Sequence, residues 1–202
     1  MKVDYQKELL KIIETLDHRP KVLLHSCCGP CSTQVISFLI PYFDITVLYY
    51  NPNIEPKAEY EKRKQEQIKF INNFKPDYKV DFMDCDYDNE AFTEMAVGLE
   101  NEPEGGNRCH ACYKLRLDKT ATLALQHNFD YFGTTLTVSP YKNSQVLNTI
   151  GYEISKEKGI AFLPGDFKKA NGYLKSIELS KKYNLYRQDY CGCHFSNWHL
   201  DK

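Results

Sequence analysis

Seven of the eight cysteines in this 202-residue chain fall into three tight groups, and such grouping is not what random burial of small apolar thiols would give. The groups are Cys27, Cys28 and Cys31, then Cys109 and Cys112, then Cys191 and Cys193, while Cys85 stands alone. Thiolate sulfur is a ligand for zinc and for iron–sulfur clusters, and it is also the nucleophile of dithiol chemistry. The spacing therefore predicts metal or redox chemistry.

The first cysteine group lies where a strand pattern gives way to a helix pattern. The apolar run 22–24 precedes the cysteines, and Val35, Phe38 and Leu39 follow them at helical spacing. We therefore expect the sulfurs at a helix N-terminus, where unpaired N–H groups and the helix dipole favour thiolate over thiol. Pro30 suits the first helical turn, because its missing N–H donor has no partner there.

The first two groups together supply four sulfurs from two loops, which suits either a structural zinc ion or an iron–sulfur cluster. We expect the side chains of the adjacent pair Cys27 and Cys28 to diverge, which favours a cluster with separated irons over a single zinc ion. An alternative comes from Cys28-Gly29-Pro30-Cys31, which is the redox motif of thioredoxins and would indicate a thiol–disulfide oxidoreductase.

The third group, Cys191-Gly192-Cys193, places two thiols one residue apart. Such a pair closes only a small, strained ring, which makes a labile disulfide rather than a structural one. We interpret it as a redox-active dithiol that supplies two electrons, with two further metal ligands as the alternative. Cys31 is left to bind a second iron or to face the substrate, and Cys85 is interpreted as a core residue.

Charged residues offer weaker candidates. Asp86, Asp88 and Asp166 are candidate metal ligands or general acids. The alternative for each is a helix N-cap or a solvated charge in a loop. Lys168, Lys169 and Arg187 belong to a basic stretch with interleaved tyrosines, which suits phosphates and unstacked bases of RNA as well as it suits a solvated helix face.

The elements that position these residues alternate between strand and helix patterns. Strands are predicted at 22–24, 45–50, 78–82, 131–137 and 160–163. Alternation of this kind predicts an α/β fold with an open, mainly parallel sheet and helices on both faces. The first cysteine group and the segments 84–88, 139–142 and 166–169 all follow strands, so we expect them to share the carboxyl-terminal rim. We expect one domain over 1–202, with a cysteine-bearing insertion near 101–112 and a C-terminal tail that carries Cys191 and Cys193.

Composition limits the function classes. The formal net charge of −1 removes any argument from bulk charge to nucleic acid, so RNA binding would need a local basic patch. No run reaches the roughly 18 apolar residues that a membrane span needs, and the first residues do not contain the apolar core of a signal peptide. We therefore expect a cytoplasmic protein, in which these cysteines are not structural disulfides.

In order along nearly the whole chain, five segments resemble the QueH-type epoxyqueuosine reductases. They are Leu24-His25-Ser26-Cys27-Cys28-Gly29-Pro30-Cys31-Ser32; Glu102-Pro103-Glu104-Gly105-Gly106 with Arg108-Cys109-X-X-Cys112; Thr134-Thr135-Leu136-Thr137-X-Ser139-Pro140; Glu178-Leu179-Ser180; and Tyr186-Arg187-Gln188-X-Tyr190-Cys191-Gly192-Cys193. One departure is Gly29, where the family often has alanine, and we expect it to matter little.

This resemblance implies a HUP-like fold and an enzyme that reduces epoxyqueuosine at the wobble position of tRNA to queuosine, without cobalamin. It further implies a [4Fe–4S] cluster on Cys27, Cys28, Cys109 and Cys112, and a redox-active disulfide between Cys191 and Cys193. The family is also associated with a second, mononuclear iron, for which Cys31 and a rim aspartate are the candidate ligands. The implied partners are tRNA with a queuosine-type anticodon and an electron donor.

Overall fold

The computed structural model describes residues 2–196 and is built around a sheet of five strands that all pair in parallel. The strands are β1 (Lys21–His25), β2 (Asp44–Tyr49), β3 (Asp81–Asp84), β4 (Tyr131–Thr134) and β5 (Ala161–Phe162). They lie in the order β3-β2-β1-β4-β5, which is the order of doubly wound nucleotide-binding folds. The predicted α/β class and parallel sheet are confirmed.

Seven helices connect and flank these strands in the part of the chain that the structure describes. They are α1 (Tyr5–Glu14), α2 (Gly29–Leu39), α3 (Lys57–Asn73), α4 (Asn89–Ala96), α5 (Asn107–Gln126), α6 (Ser144–Lys158) and α7 (Gly172–Lys182), with a 3-10 turn at Leu136–Val138. Between residues 2 and 196, no helix has the length and apolar character needed to cross a membrane.

The core has two layers because successive strand residues point to opposite faces of the sheet. On one face, Val22 and Leu24 pack with apolar residues of α2 and α3. On the other face, Leu23 packs with apolar residues of α5 and α6, among them Leu117 and Leu147. Both faces of the sheet are therefore covered, which explains why β1 is a continuous apolar run rather than an alternating one.

Three predicted boundaries were wrong, each for a local reason. β4 ends at Thr134 rather than at residue 137, because the Thr134 hydroxyl accepts the Leu136 N–H (3.1 Å) and turns the chain out of the sheet. β3 begins only at Asp81, while Tyr78 lies under the guanidinium of Arg19, 3.4 Å from the ring centroid. α5 begins before the second cysteine group rather than after it.

The strand order places a topological switch point between β1 and β4, where ligands bind in open α/β sheets. At the carboxyl end of this pair, the ring of His25 bridges the neighbouring strands. Its Nε2–H donates to the Tyr50 carbonyl (3.0 Å) and its Nδ1 accepts the Thr134 hydroxyl (3.2 Å). Burial lowers the pKa of His25 to about 3, so the ring is neutral and connects the sheet directly below the cysteines.

Candidate metal and redox centre

The first cysteine group lies immediately beyond β1. Cys28 is the N-cap of α2 and Cys31 lies in its first turn, so the sulfurs sit at the positive end of the helix, as expected. Within residues 2–196, the one group of potential metal-ligating side chains that could share an ion is Cys27, Cys28 and Cys31, whose sulfurs all lie within 4.8 Å of one another.

The expected divergence of Cys27 and Cys28 is wrong. Their sulfurs are 3.6 Å apart, because the chain bends at Cys27 between the strand and the helix cap and turns both side chains to the same side. This spacing suits a single metal ion as well as a cluster, so it favours neither a zinc site nor an iron–sulfur site.

The three thiols of the first group do not titrate alike. Hydrogen bonds from Cys27 and Cys31 hold the pKa of Cys28 well below its ordinary value. The hydrogen bond with Cys28 raises the pKa of Cys27 to about 12, and the hydrogen bonds with Cys27 and Cys28 raise that of Cys31 as well. The surroundings of the fully buried Cys28 therefore favour its thiolate, which accepts hydrogen bonds from its two neighbours.

The second group also lies at a helix N-terminus. Cys109 and Cys112 are buried in the first turns of α5, which starts at Asn107 after its N-cap Gly106. The N–H of Gly105 donates to the Cys109 sulfur (3.2 Å). Two helix N-termini therefore present cysteines at the same end of the sheet, and both favour negative charge on sulfur.

The side chain of Arg116 connects the three groups. It is only 2% exposed, and its positive charge acts on the sulfurs of Cys27, Cys112 and Cys191. Its Nε donates to the Cys112 carbonyl (3.3 Å). The charge of one guanidinium thus acts on cysteines from three distant parts of the sequence.

The third group is held in place by α3 and by the segment that precedes it. The Arg63 guanidinium donates to the Cys191 carbonyl (3.0 Å), and the Glu55 N–H donates to the Gly192 carbonyl (2.8 Å). Gly192 has φ +101°, a backbone conformation that favours glycine, and a Cβ there would lie 3.1 Å from the Arg63 guanidinium. The loop is therefore fixed against the site by its backbone.

The two thiols of this group are made unequal by their surroundings. The Lys142 ammonium donates to the Cys191 sulfur (3.3 Å) from the segment that follows β4. A hydrogen bond from Cys193, then the charges of Lys142 and Arg116, hold the pKa of Cys191 well below its ordinary value, whereas the same hydrogen bond and burial raise that of Cys193. The surroundings therefore favour thiolate at Cys191 and the protonated thiol at Cys193.

The remaining candidates from the sequence lie outside this group of sulfurs. Asp88 is the N-cap of α4 and accepts the Ala91 N–H (3.3 Å), so the N-cap interpretation is the one the structure gives. Asp86 is exposed, and Asp166 lies 3.8 Å from the Lys168 ammonium. Cys85 is partly buried against the second core layer.

The three basic candidates are engaged at the surface. Lys168 donates to the Lys142 carbonyl (2.9 Å), which braces the loop that carries the ammonium. Lys169 forms an ion pair with Asp4 (2.7 Å), and the guanidinium of Arg187 lies 5.3 Å from the centroid of the Tyr173 ring. The substrate-binding role of these residues stays a prediction.

Comparison with known proteins matches this architecture to one family. A family model described as "Epoxyqueuosine reductase QueH" matches residues 22–199, which include all of β1 but its first residue and all three cysteine groups. The chain belongs to the QueH family. Proteins named epoxyqueuosine reductase QueH are 46% identical in Staphylococcus epidermidis (96% of this chain, 85% of the relative) and 44% identical in Streptococcus pyogenes serotype M1 (95% and 77%). A relative with the same name in Thermotoga maritima is 34% identical (87% and 89%).

QueH membership confirms the resemblance seen in the motifs and makes the chain an oxidoreductase. The sequence did not identify the cationic side chains that lie near the cysteines, Arg116 and Arg63. Arg116 had a usable signal, because Cys109, Cys112 and Arg116 follow one another at i, i+3 and i+7 and so share a helix face. Arg63 had none, because its contact with the Cys191 carbonyl joins residues 128 positions apart.

Proposed function

We propose that this protein reduces epoxyqueuosine at the wobble position of tRNA to queuosine. The observation that carries the proposal is the convergence of three cysteine groups at the switch point of a chain that belongs to the QueH family. Conversion of an epoxide to an alkene breaks both C–O bonds and requires two electrons and two protons. A site rich in thiolates beside buried cations provides the groups that such a reduction needs.

We propose Cys27, Cys28, Cys109 and Cys112 as the ligands of a [4Fe–4S] cluster, and Cys31 as a ligand of a second, mononuclear iron. The donor set fits such groups, because sulfur ligands at two helix N-termini select zinc or iron–sulfur centres. Two cations nearby, the buried Arg116 and the partly buried Lys142, favour an anionic metal centre. Iron bound at these sulfurs would pass electrons singly and polarise the epoxide oxygen.

Cys191 and Cys193 supply the two electrons in this proposal. Their sulfurs form a disulfide as the epoxide oxygen leaves as water, and the alkene remains on the nucleoside. The two protons come from the Cys193 thiol and from the Lys142 ammonium, which already donates to the Cys191 sulfur. An external electron donor then returns the disulfide to the dithiol, and solvent returns the proton to Lys142.

We assign tRNA binding to the surface around Lys168, Lys169 and Arg187. The two lysines follow β5 and the arginine follows α7. Lys168 contacts the loop whose Lys142 donates to the Cys191 sulfur. The target nucleoside lies in an anticodon loop, so little energy is needed to unstack it. We place the activity in the cytoplasm, where such tRNA is found.

A single-turnover reaction tests the function. Anaerobically purified, dithiol-reduced protein is mixed with tRNA that carries epoxyqueuosine, with no other reductant present. We expect up to one queuosine per protein and the loss of two free thiols. Cys191→Ser and Cys193→Ser should each abolish this turnover while they retain the iron and the dithionite-bleachable absorbance of the wild type.

Cys85→Ser is the matched control, because Cys85 lies outside the three groups, and it should react as the wild type does. Queuosine formation by Cys191→Ser and Cys193→Ser at the wild-type level would refute the dithiol role. A colourless wild-type protein that carries zinc would refute the iron centre.

The sulfurs of Cys28 and Cys31 are also close enough for dithiol exchange, which favours a second candidate function. Under that alternative, a thioredoxin-like thiol–disulfide oxidoreductase, Cys31→Ser would abolish the reduction of a disulfide substrate by metal-free protein. Under the primary proposal, Cys31→Ser changes iron content and the protein reduces no disulfide substrate.

A further inference from the structure

Arg116 is a buried cation without a carboxylate partner in the part of the chain that the structure describes. It is 2% exposed, and the ion pairs formed among residues 2–196 do not include it. Its Nε hydrogen bond to the Cys112 carbonyl is the only one that its guanidinium makes in that part of the chain. The negative groups that act on it are the sulfurs of Cys112, Cys191 and Cys27, followed by the Tyr113 phenol.

The other two buried arginines have conventional partners. Arg63 forms an ion pair with Glu59 (2.7 Å). Arg108, eight residues before Arg116 on α5, donates to the carbonyls of Leu99, Glu100 and Glu102 at 2.6–3.0 Å. Of these three buried arginines, Arg116 is therefore the one with neither an ion pair nor several carbonyl acceptors among the described residues. Arg108 is a matched comparison on the same helix.

Burial of a charge is costly unless an opposite charge or a full set of hydrogen bonds accompanies it. Lys142 adds a partly buried cation whose Nζ donates to the Cys191 sulfur, and it also has no carboxylate within ion-pair distance among the described residues. Arg116 lies one turn after Cys112 on α5 and shares a helix face with Cys109, so its charge is adjacent to sulfurs proposed as metal ligands. An anionic iron centre bound there would supply the opposite charge that a buried guanidinium needs.

We propose that Arg116 is the permanent counter-charge of the metal site, a positioning residue whose fixed charge stabilises a bound anionic centre and favours its electron-rich state. This inference rests on the proposed function, since it requires iron at the cysteines. Each added electron makes the site more negative, so a fixed cation beside it raises the reduction potential. Without metal, the negative charge of the centre is missing beside the guanidinium, so Arg116 stabilises the iron-free protein less than the iron-loaded protein.

Three variants test this inference: Arg116→Met, which keeps the volume and removes the charge, Arg116→Lys, which keeps the charge, and Arg108→Met as the control. For Arg116→Met we expect a loss of iron affinity on the order of 10- to 100-fold in chelator competition, and a lower midpoint potential. Arg116→Lys should recover most of the potential, and Arg108→Met should leave it unchanged.

Thermal unfolding supplies a second readout that separates the two forms. Arg116→Met should lower the unfolding temperature of the iron-loaded protein, and lower that of the iron-free protein less or not at all. Arg108→Met should lower both alike, because its carbonyl contacts do not depend on metal. Equal losses in both forms of Arg116→Met, with an unchanged potential, would overturn the inference and leave a structural role. Wild-type protein that takes up no iron would instead refute the metal proposal itself, before any variant is compared.

Discussion

Neighbouring side chains make Cys191 and Cys193 unequal, although the two residues are chemically identical. Cys191 receives hydrogen bonds from Cys193 and from the Lys142 ammonium, whereas Cys193 has no such cation at its sulfur among the described contacts. The environment thus sets which sulfur is the nucleophile and which carries the proton. A sequence in which the two cysteines are separated by one glycine does not contain this distinction.

Removal of the ammonium should make the two thiols more alike. A lowered pKa keeps Cys191 as thiolate at a pH where an ordinary thiol is protonated, so it should be the faster of the pair to react with iodoacetamide at pH 6.5. In Lys142→Met we expect its rate at that pH to fall on the order of tenfold, with the pH profile shifted upward.

The measurement is mass spectrometry of the alkylated peptide over a pH series. Lys114→Met, which removes an exposed lysine from α5, should leave the profile unchanged. A profile of Cys191 that does not move in Lys142→Met would show that the ammonium does not hold the thiolate.

Among the elements, α2 and α3 pack so closely that one residue decides their distance. A Cβ on Gly29 would lie 2.7 Å from the Glu66 carbonyl oxygen, closer than real Cβ contacts. The expectation that the family's alanine at this position would matter little therefore conflicts with the packing, because backbone atoms rather than a flexible side chain would have to move. Gly29 sets the depth at which the cysteines at the start of α2 lie.

Gly29→Ala should therefore destabilise the protein by about 1–3 kcal/mol, the usual range for overpacking. Urea unfolding measures this free energy. Gly133→Ala is the control, because a Cβ there would make an ordinary 3.5 Å contact with Leu163. Equal stabilities of the two variants would mean that α2 and α3 separate freely.

At this scale the sequence predicted the strands, their parallel pairing and the first cysteine group beyond β1, because apolar runs and helical spacing are local patterns. It did not predict that α5 contains Cys109 and Cys112, because the preceding glycines hide the helix start. It also placed the sulfurs of Cys27 and Cys28 apart, because a bend in one loop residue cannot be read from residue types. Contacts such as that of Arg63 with the Cys191 carbonyl arise only in the folded chain.

Over the whole molecule, positive charge near the site is local rather than general, as the net charge of −1 requires. Lys169 is already paired with Asp4, and Lys168 braces the loop of Lys142, so only part of their charge is available to a phosphate. Binding of tRNA should therefore depend on salt with a modest slope rather than a steep one.

Charge reversal of Lys168 and Lys169 together should weaken tRNA binding and reduce the slope of log K against log salt concentration by roughly 1 to 2. Filter binding over a salt series measures both quantities. Lys79→Glu, which lies before β3 at the opposite edge of the sheet, should change neither. An unchanged slope in the double variant would place the RNA elsewhere.

The glycine between the last two cysteines has one further consequence. Glu55 and Arg63, which donate to the carbonyls of Gly192 and Cys191, belong to the first third of the chain, and all five strands precede residue 191. Synthesis therefore completes the sheet and the first two cysteine groups before it adds the third. A chain that ended just before residue 191 would carry the ligands proposed for iron but lack the proposed dithiol.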